Sequence, residues 1–190
     1  MLRSVSLALM LLVILLVASR GLAQETSVPA DIQAALVAKL ASYDRNFAAR
    51  AKGTARLVLL VKKGSGKSKL AADSFKGALS KVDRIGGLPH EEQTLIYENA
   101  AAVVKLCQAQ HIAIVYVTPG LESEIAVLRE ALAGTSVLSV SPVEAHVEMG
   151  IVLGFAIVSG RPKLVLNLRQ ARRQKVDFRA DVLKLMKVQQ

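Results

Sequence analysis

The chain has 190 residues, with 25 Lys and Arg against 15 Asp and Glu, and a formal charge of +10. Its length suits one domain, and 52% apolar residues are enough to bury a sizeable core, which excludes wholesale disorder. A single cysteine excludes an intramolecular disulfide framework and a cysteine-built zinc cluster, and 4% aromatics with no Trp speak against a base-stacking nucleic-acid surface.

Arg3 is followed by an uncharged apolar run over residues 5–18, and then by Gly21-Leu22-Ala23. That is the three-part pattern of a secretory signal peptide, with cleavage expected after Ala23. An uncleaved anchor needs about 20 apolar residues, and Ser19-Arg20 cuts this run short. The expected organisation is a leader over residues 1–23 and one α/β domain over residues 24–190. The mature part carries a net −2 over 24–44, eight cations and no acid over 45–69, −5 over 70–159 and +7 over 160–190. Two basic blocks thus flank an acidic middle.

In chain order, Ile32, Leu36, Leu40, Tyr43 and Phe47 recur at the spacing of one helix face. Residues 56–61 form a short apolar run that predicts a buried strand. A loop follows at Lys62-Lys63-Gly64-Ser65-Gly66-Lys67, and Ser68 is expected to cap a helix facing inward through Ala71, Phe75, Ala78, Leu79 and Val82. Past the Gly86-Gly87-Leu88-Pro89 break, residues 94–97 predict a weak strand, and Asn99 a helix cap. Residues 112–117 predict a strong strand. A helix through Leu121, Ile125, Leu128 and Leu132 ends at Gly134, and a short strand follows at 137–140. Ser141-Pro142-Val143-Glu144 has the pattern of a capping box. Residues 151–158 and 163–166 read as a hairpin, Asn167 as the cap of a helical turn, and Asp177 as the cap of a final helix using Phe178, Val182, Leu183 and Met186. The fold class predicted is α/β: one domain with a largely parallel central sheet flanked by helices, a C-terminal antiparallel hairpin and a terminal helix.

No motif points to catalysis. The Lys63–Ser68 segment sits where a phosphate loop would, but Val61 occupies the place of the first Gly. It reads either as a solvated turn with a helix cap or as an anion site using Gly64, Gly66, Lys67 and Ser68. His90, His111 and His146 lack metal-ligand spacing, no G-x-S-x-G elbow is present, and Cys107 lies on an apolar stripe. No cofactor is expected. The C-terminal cations read as a solvated face or as a surface for anionic lipid head groups or an acidic partner. Nucleic acid is not expected.

The segment Gly154-Phe155-Ala156-Ile157-Val158-Ser159-Gly160-Arg161-Pro162-Lys163-Leu164-Val165-Leu166-Asn167-Leu168-Arg169-Gln170-Ala171 is similar to the YfiR-like family, whose hairpin has a central Gly and a following Asn-Leu-x-x-Ala. The tail from Val176-Asp177-Phe178 through Val182-Leu183 and the segment from Leu36 to Asn46 resemble the family's two ends. The resemblance implies an exported, usually periplasmic, non-enzymatic domain. Its best-known member is a homodimer that restrains a membrane-bound diguanylate cyclase, and stress releases the restraint and raises cyclic-di-GMP and biofilm output. That member uses paired cysteines, so Cys107 alone excludes a disulfide switch within one chain. The expected partner is an inner-membrane signalling protein, a diguanylate cyclase or a sensor kinase. The expected contact surface is Phe155, Ile157, Arg161, Leu164 and Leu166, oriented by Arg169, Arg172 and Arg173. The alternative is a soluble small-ligand or anion carrier using the crevice between residues 64–68 and 118–121.

Overall fold

The computed structural model describes residues 27–189, so the expected leader lies outside the described residues. The elements run α1 (Ala30–Ala41), α2 (Phe47–Ala51), β1 (Ala55–Lys62), α3 (Gly66–Leu79), β2 (His90–Tyr97), α4 (Ala100–Gln110) and β3 (Ile112–Val117). After a 3-10 turn at Glu122–Glu124 come α5 (Ile125–Leu132), β4 (Leu138–Val140), α6 (Glu144–Met149), β5 (Leu153–Val158), β6 (Arg161–Asn167), α7 (Leu168–Arg173), α8 (Ala180–Leu183) and β7 (Lys187–Gln189).

The strands form one sheet in the order β2-β1-β3-β4-β5-β6-β7. Every pairing is parallel except the β5–β6 hairpin. The strand alternation splits the core in two. Leu57 and Leu59 of β1 and Ile114 and Tyr116 of β3 pack on one face with α1 and α3. Val58, Leu60, Val115 and Val117 pack on the other, against Val103 and Cys107 of α4 and Ile125 and Leu128 of α5. On the first face Phe75 stacks on Tyr116 at 3.9 Å between ring centroids. The buried Tyr116 hydroxyl donates to Gln33 Oε1 at 2.8 Å, and Gln33 Nε2 donates to the Val28 carbonyl, so no polar atom of this pair is stranded.

The α/β class, the mostly parallel sheet and the hairpin agree with the sequence expectation; four details differ. The first helix ends at Ala41 and buries Gln33, Ala34, Val37, Leu40 and Ala41. Ile32 and Leu36 are only half-buried, and Phe47 belongs to a separate short helix. Ser65 caps α3 by accepting from the Ser68 N–H. Ser141 does not form a capping box: its Oγ accepts from the Val143 N–H and bonds His146 Nδ1, while Glu144 pairs with Lys187. The last helix is one turn, capped at Arg179, and the chain then returns to the sheet as β7 beside β6. Asn99 and Asn167 do cap α4 and α7 through their side chains.

Candidate functional site

The hairpin is held by a two-residue connection, Ser159-Gly160, both with positive φ, the backbone that matches strand twist. Its register sets Phe155 opposite Leu164 and Leu153 opposite Leu166. Directly paired residues share a sheet face, so Phe155, Ile157, Leu164 and Leu166 form one stripe on the α1 side. The stripe is not used uniformly. Phe155 and Leu166 are 3% and 0% exposed and belong to the core, because α1 and the C-terminal segment cover the inner end of the hairpin. They therefore present no surface in this fold. Ile157 and Leu164 lie further out and are half-buried.

Leu164 opens into a groove of about 360 Å³ between α1, β6 and the end of the chain. Leu36, Leu40 and Tyr43 form one wall, Pro162 and Leu164 a second, and Val182 and Leu185 the third. Lys39, Lys163 and Asp181 also line it. Leu185 is 67% exposed, among the most exposed large apolar side chains described. Sequence periodicity put Leu36, Leu40 and Tyr43 on one helix face; Leu40 is buried, Leu36 and Tyr43 are only half-buried, and Leu185 was not singled out at all.

The C-terminal wall of the groove is fastened by a buried ion pair that no sequence motif announces. Arg50 Nη1 donates to Asp44 Oδ2 at 2.7 Å, with side chains 1% and 0% exposed. The Asp44 Oδ1 accepts from the backbone N–H groups of Asn46 and Asp177. Arg50 Nη2 and Asn46 Nδ2 both donate to the Lys175 carbonyl. Burial pushes the Arg50 pKa down, and the Asp44 carboxylate opposes that shift. Asp44 also bridges Phe178 through the backbone. Residues 175–179 are thus tied to the corner between α1 and α2, next to Tyr43.

The predicted cations are dispersed. Arg161, Arg169 and Arg172 are exposed. Arg173 is engaged with Glu130 through two bonds of 3.2 and 2.6 Å, which, together with Arg129, hold that carboxyl down to about 2. Arg45, Arg56, Arg179 and Lys187 also have carboxylate partners.

At the other predicted site, β1 and β3 are the neighbours where the strand order reverses, the place at which open α/β sheets receive ligands. Here the two loops touch each other. Ser68 is fully buried, accepts from the Lys62 N–H and bonds the Thr118 hydroxyl, which donates to the Leu60 carbonyl. Ser68 is therefore spent on joining the strands. Gly64, Gly66 and Lys67 stay exposed. Nearby, His146 is buried between Ser141 and Glu122. Burial lowers its pKa, and Glu122 partly offsets that. Burial pushes the Cys107 thiol up to about 12, so it has little thiolate character. Among the described residues no group of three His, Cys, Asp or Glu side chains could hold a metal, and no helix is long and apolar enough to cross a membrane.

The YfiR/HmsC-like family model matches residues 30–187. The chain belongs to the YfiR/HmsC-like family. The match takes in both basic blocks, the hairpin and the groove. No curated protein matches the chain. Among solved structures, the fold is similar to the ABC domain in complex with L-Trp from Streptococcus pneumonia, with TM-score 0.60, 16% identity, and 84% of this chain and 61% of that one covered. It is also similar to the ligand-free, open form of CD0873, a substrate binding protein with adhesive properties from Clostridium difficile, with TM-score 0.60, 12% identity, and 86% and 60% covered. A conserved domain protein from Vibrio cholerae aligns with TM-score 0.54, 16% identity, and 85% and 60% covered. The chain spans about 60% of the length of each. These likenesses describe the fold: the chain shares its layered architecture with part of a substrate-binding protein.

Proposed function

We propose that this YfiR/HmsC-like protein is an exported, periplasmic, non-enzymatic regulator that restrains a membrane-bound signalling partner, a diguanylate cyclase or a sensor kinase, and so lowers cyclic-di-GMP output and biofilm formation. The family membership over residues 30–187 carries this reading. The apolar run of residues 5–18 supports export, with cleavage after Ala23.

The partner surface is the groove between α1, β6 and the C-terminal segment. Exposed apolar side chains gathered in a concave patch mark interaction sites more reliably than apolar residues scattered singly. Leu164 and Leu185 are its anchors, and Ile157 and Arg161 extend it along the hairpin. Arg169 and Arg172 supply positive charge for an acidic partner or for anionic head groups at the membrane surface, and Arg173 acts through its pair with Glu130. A homodimer is compatible with the same arrangement.

A strain lacking the gene tests the reading through its cyclic-di-GMP level. The expected result is a rise, with increased surface attachment and reduced motility. Unchanged levels of all three refute the signalling role. The alternative, a small-ligand carrier working at the β1/β3 crevice, draws support from the substrate-binding folds alone. It has to work without Ser68, whose hydroxyl is committed to the strands.

A further inference from the structure

The two edges of the sheet are finished differently. At one, β7 is three residues long, and the stretch of β6 that it leaves open carries Pro162, which has no N–H to offer. A short strand and an edge proline guard against pairing with another chain. At the other edge, β2 runs for eight residues, His90–Tyr97, with neither Pro nor Lys. Its parallel register with β1 is unbroken, from Ala55 opposite His90 to Lys62 opposite Tyr97. Among the described residues no strand lies on its outer side.

One hydrogen bond fixes which backbone groups of β2 are free. The Ala55 N–H donates to the Pro89 carbonyl at 2.8 Å, and alternate residues of a parallel strand face its neighbour. Glu91, Gln93, Leu95 and Tyr97 therefore bond β1, while the N–H and C=O groups of His90, Glu92, Thr94 and Ile96 point outward. Ile96 is also 55% exposed. Both carboxylates of the strand are engaged within their own chain. Arg56 Nε donates to Glu91 at 3.1 Å, and Glu92 lies 3.4 Å from His90 Nδ1.

A second β2, run antiparallel, matches this edge. One register pairs every outward group, with His90 opposite Ile96, Glu92 opposite Thr94, and Gln93 opposite itself on a two-fold axis. No carboxylate then faces a carboxylate, as a register with Glu92 opposite Glu92 would require. The same register brings Glu98 of one copy to Leu88 of the other. Arg84 is held at that point, its Nη1 donating to the Gly87 carbonyl at 3.1 Å. Among the described residues, Arg84 and Glu98 are exposed and neither has an ion-pair partner. The charges that flank the strand are thus complementary between copies.

We infer that two copies of this chain join along β2, antiparallel about an axis at Gln93, into one continuous sheet flanked by Arg84–Glu98 pairs between the copies. The contact lies at the opposite edge of the sheet from the docking groove, and it stands whether or not the chain restrains a signalling partner.

Sedimentation equilibrium of the purified exported chain tests this, and a dimer is expected. Thr94→Pro removes an outward N–H in each copy and leaves the bonds to β1 in place. It should weaken the dimer at least about tenfold. Ile96→Lys, at an exposed position, should do the same by guarding the edge. Arg84→Glu and Glu98→Arg should each weaken association about threefold or more, and the two together should restore it. Mild oxidation reads the register. Gln93→Cys should cross-link the copies, since residues opposed in this way have Cα atoms about 4.5 Å apart, within disulfide reach. Glu91→Cys should not, because the register sets it about 13 Å or more from its counterpart. A monomer at every concentration overturns the inference. So does a dimer that survives both Thr94→Pro and Ile96→Lys, one that Leu164→Glu/Leu185→Glu abolishes instead, or cross-linking of Glu91→Cys as readily as Gln93→Cys.

Discussion

Replacing Asp44 by Ala removes the acceptor on which the C-terminal segment hangs. The Arg50 guanidinium would lose its 2.7 Å partner while its side chain remains 1% exposed, and the N–H groups of Asn46 and Asp177 would lose theirs. Breaking a buried pair by removing one member costs about 3–5 kcal/mol, because the other charge stays buried without compensation. For a domain of this size that is a fall in Tm of about 8–15 °C. Thermal unfolding followed by circular dichroism measures it, with Asp44→Leu/Arg50→Met as the companion. The double variant should recover most of the loss, since two apolar side chains replace two desolvated charges. A loss below about 1 kcal/mol in Asp44→Ala would place the pair among weak surface contacts. The claim that it fastens residues 175–179 would then be refuted.

Three further outcomes follow from the same geometry. His146 is buried with a lowered pKa, so the unfolded chain binds its proton first and stability should fall as pH drops below the ordinary histidine value of 6.5; urea midpoints between neutral and mildly acid pH should show this slope, and His146→Asn should reduce it. Gly86 has φ +58°, and a Cβ there would meet the Phe47 ring at 2.6 Å. Gly86→Ala should therefore cost about 2–4 kcal/mol in chemical unfolding, and a neutral substitution would contradict the packing. Cys107, with its thiol pushed up to about 12, should react with a thiol reagent at mildly alkaline pH only as fast as the chain opens, and rapid labelling of the folded protein would refute its burial.

Much of the fold was legible because strong local signals agreed with the tertiary arrangement. The apolar run at β1, the β-branched run at β3 and the hairpin residues needed no context. The misses have physical causes. Lys187-Val188-Gln189 carries no strand pattern, and it becomes β7 only because β6 offers an unpaired edge. The face of α1 came out rotated: Gln33, Ala34 and Ala41, which a count of large apolar residues passes over, are buried together with Val37 and Leu40, and Leu36 is left at the groove. For the candidate site, the hairpin register puts the apolar members of the expected surface on one sheet face, but sequence alone could not say how far α1 would cover it. That coverage puts Phe155 and Leu166 in the core and leaves Leu164 outside. The Asp44–Arg50 pair spans six residues without helical spacing, and nothing local marks it. Likewise, the basic blocks read as one surface property, yet most of their arginines are paired.

Cyclic-di-GMP in cells carrying Leu164→Glu/Leu185→Glu tests the central claim most directly, provided the variant accumulates and folds as wild type does. Both side chains line the groove, and neither is fully buried, so the charges should block docking while leaving the core intact. The account predicts a rise matching that of the deletion strain. Cyclic-di-GMP held at the wild-type level by the double variant, with the deletion strain raised, would contradict the groove as the surface of restraint.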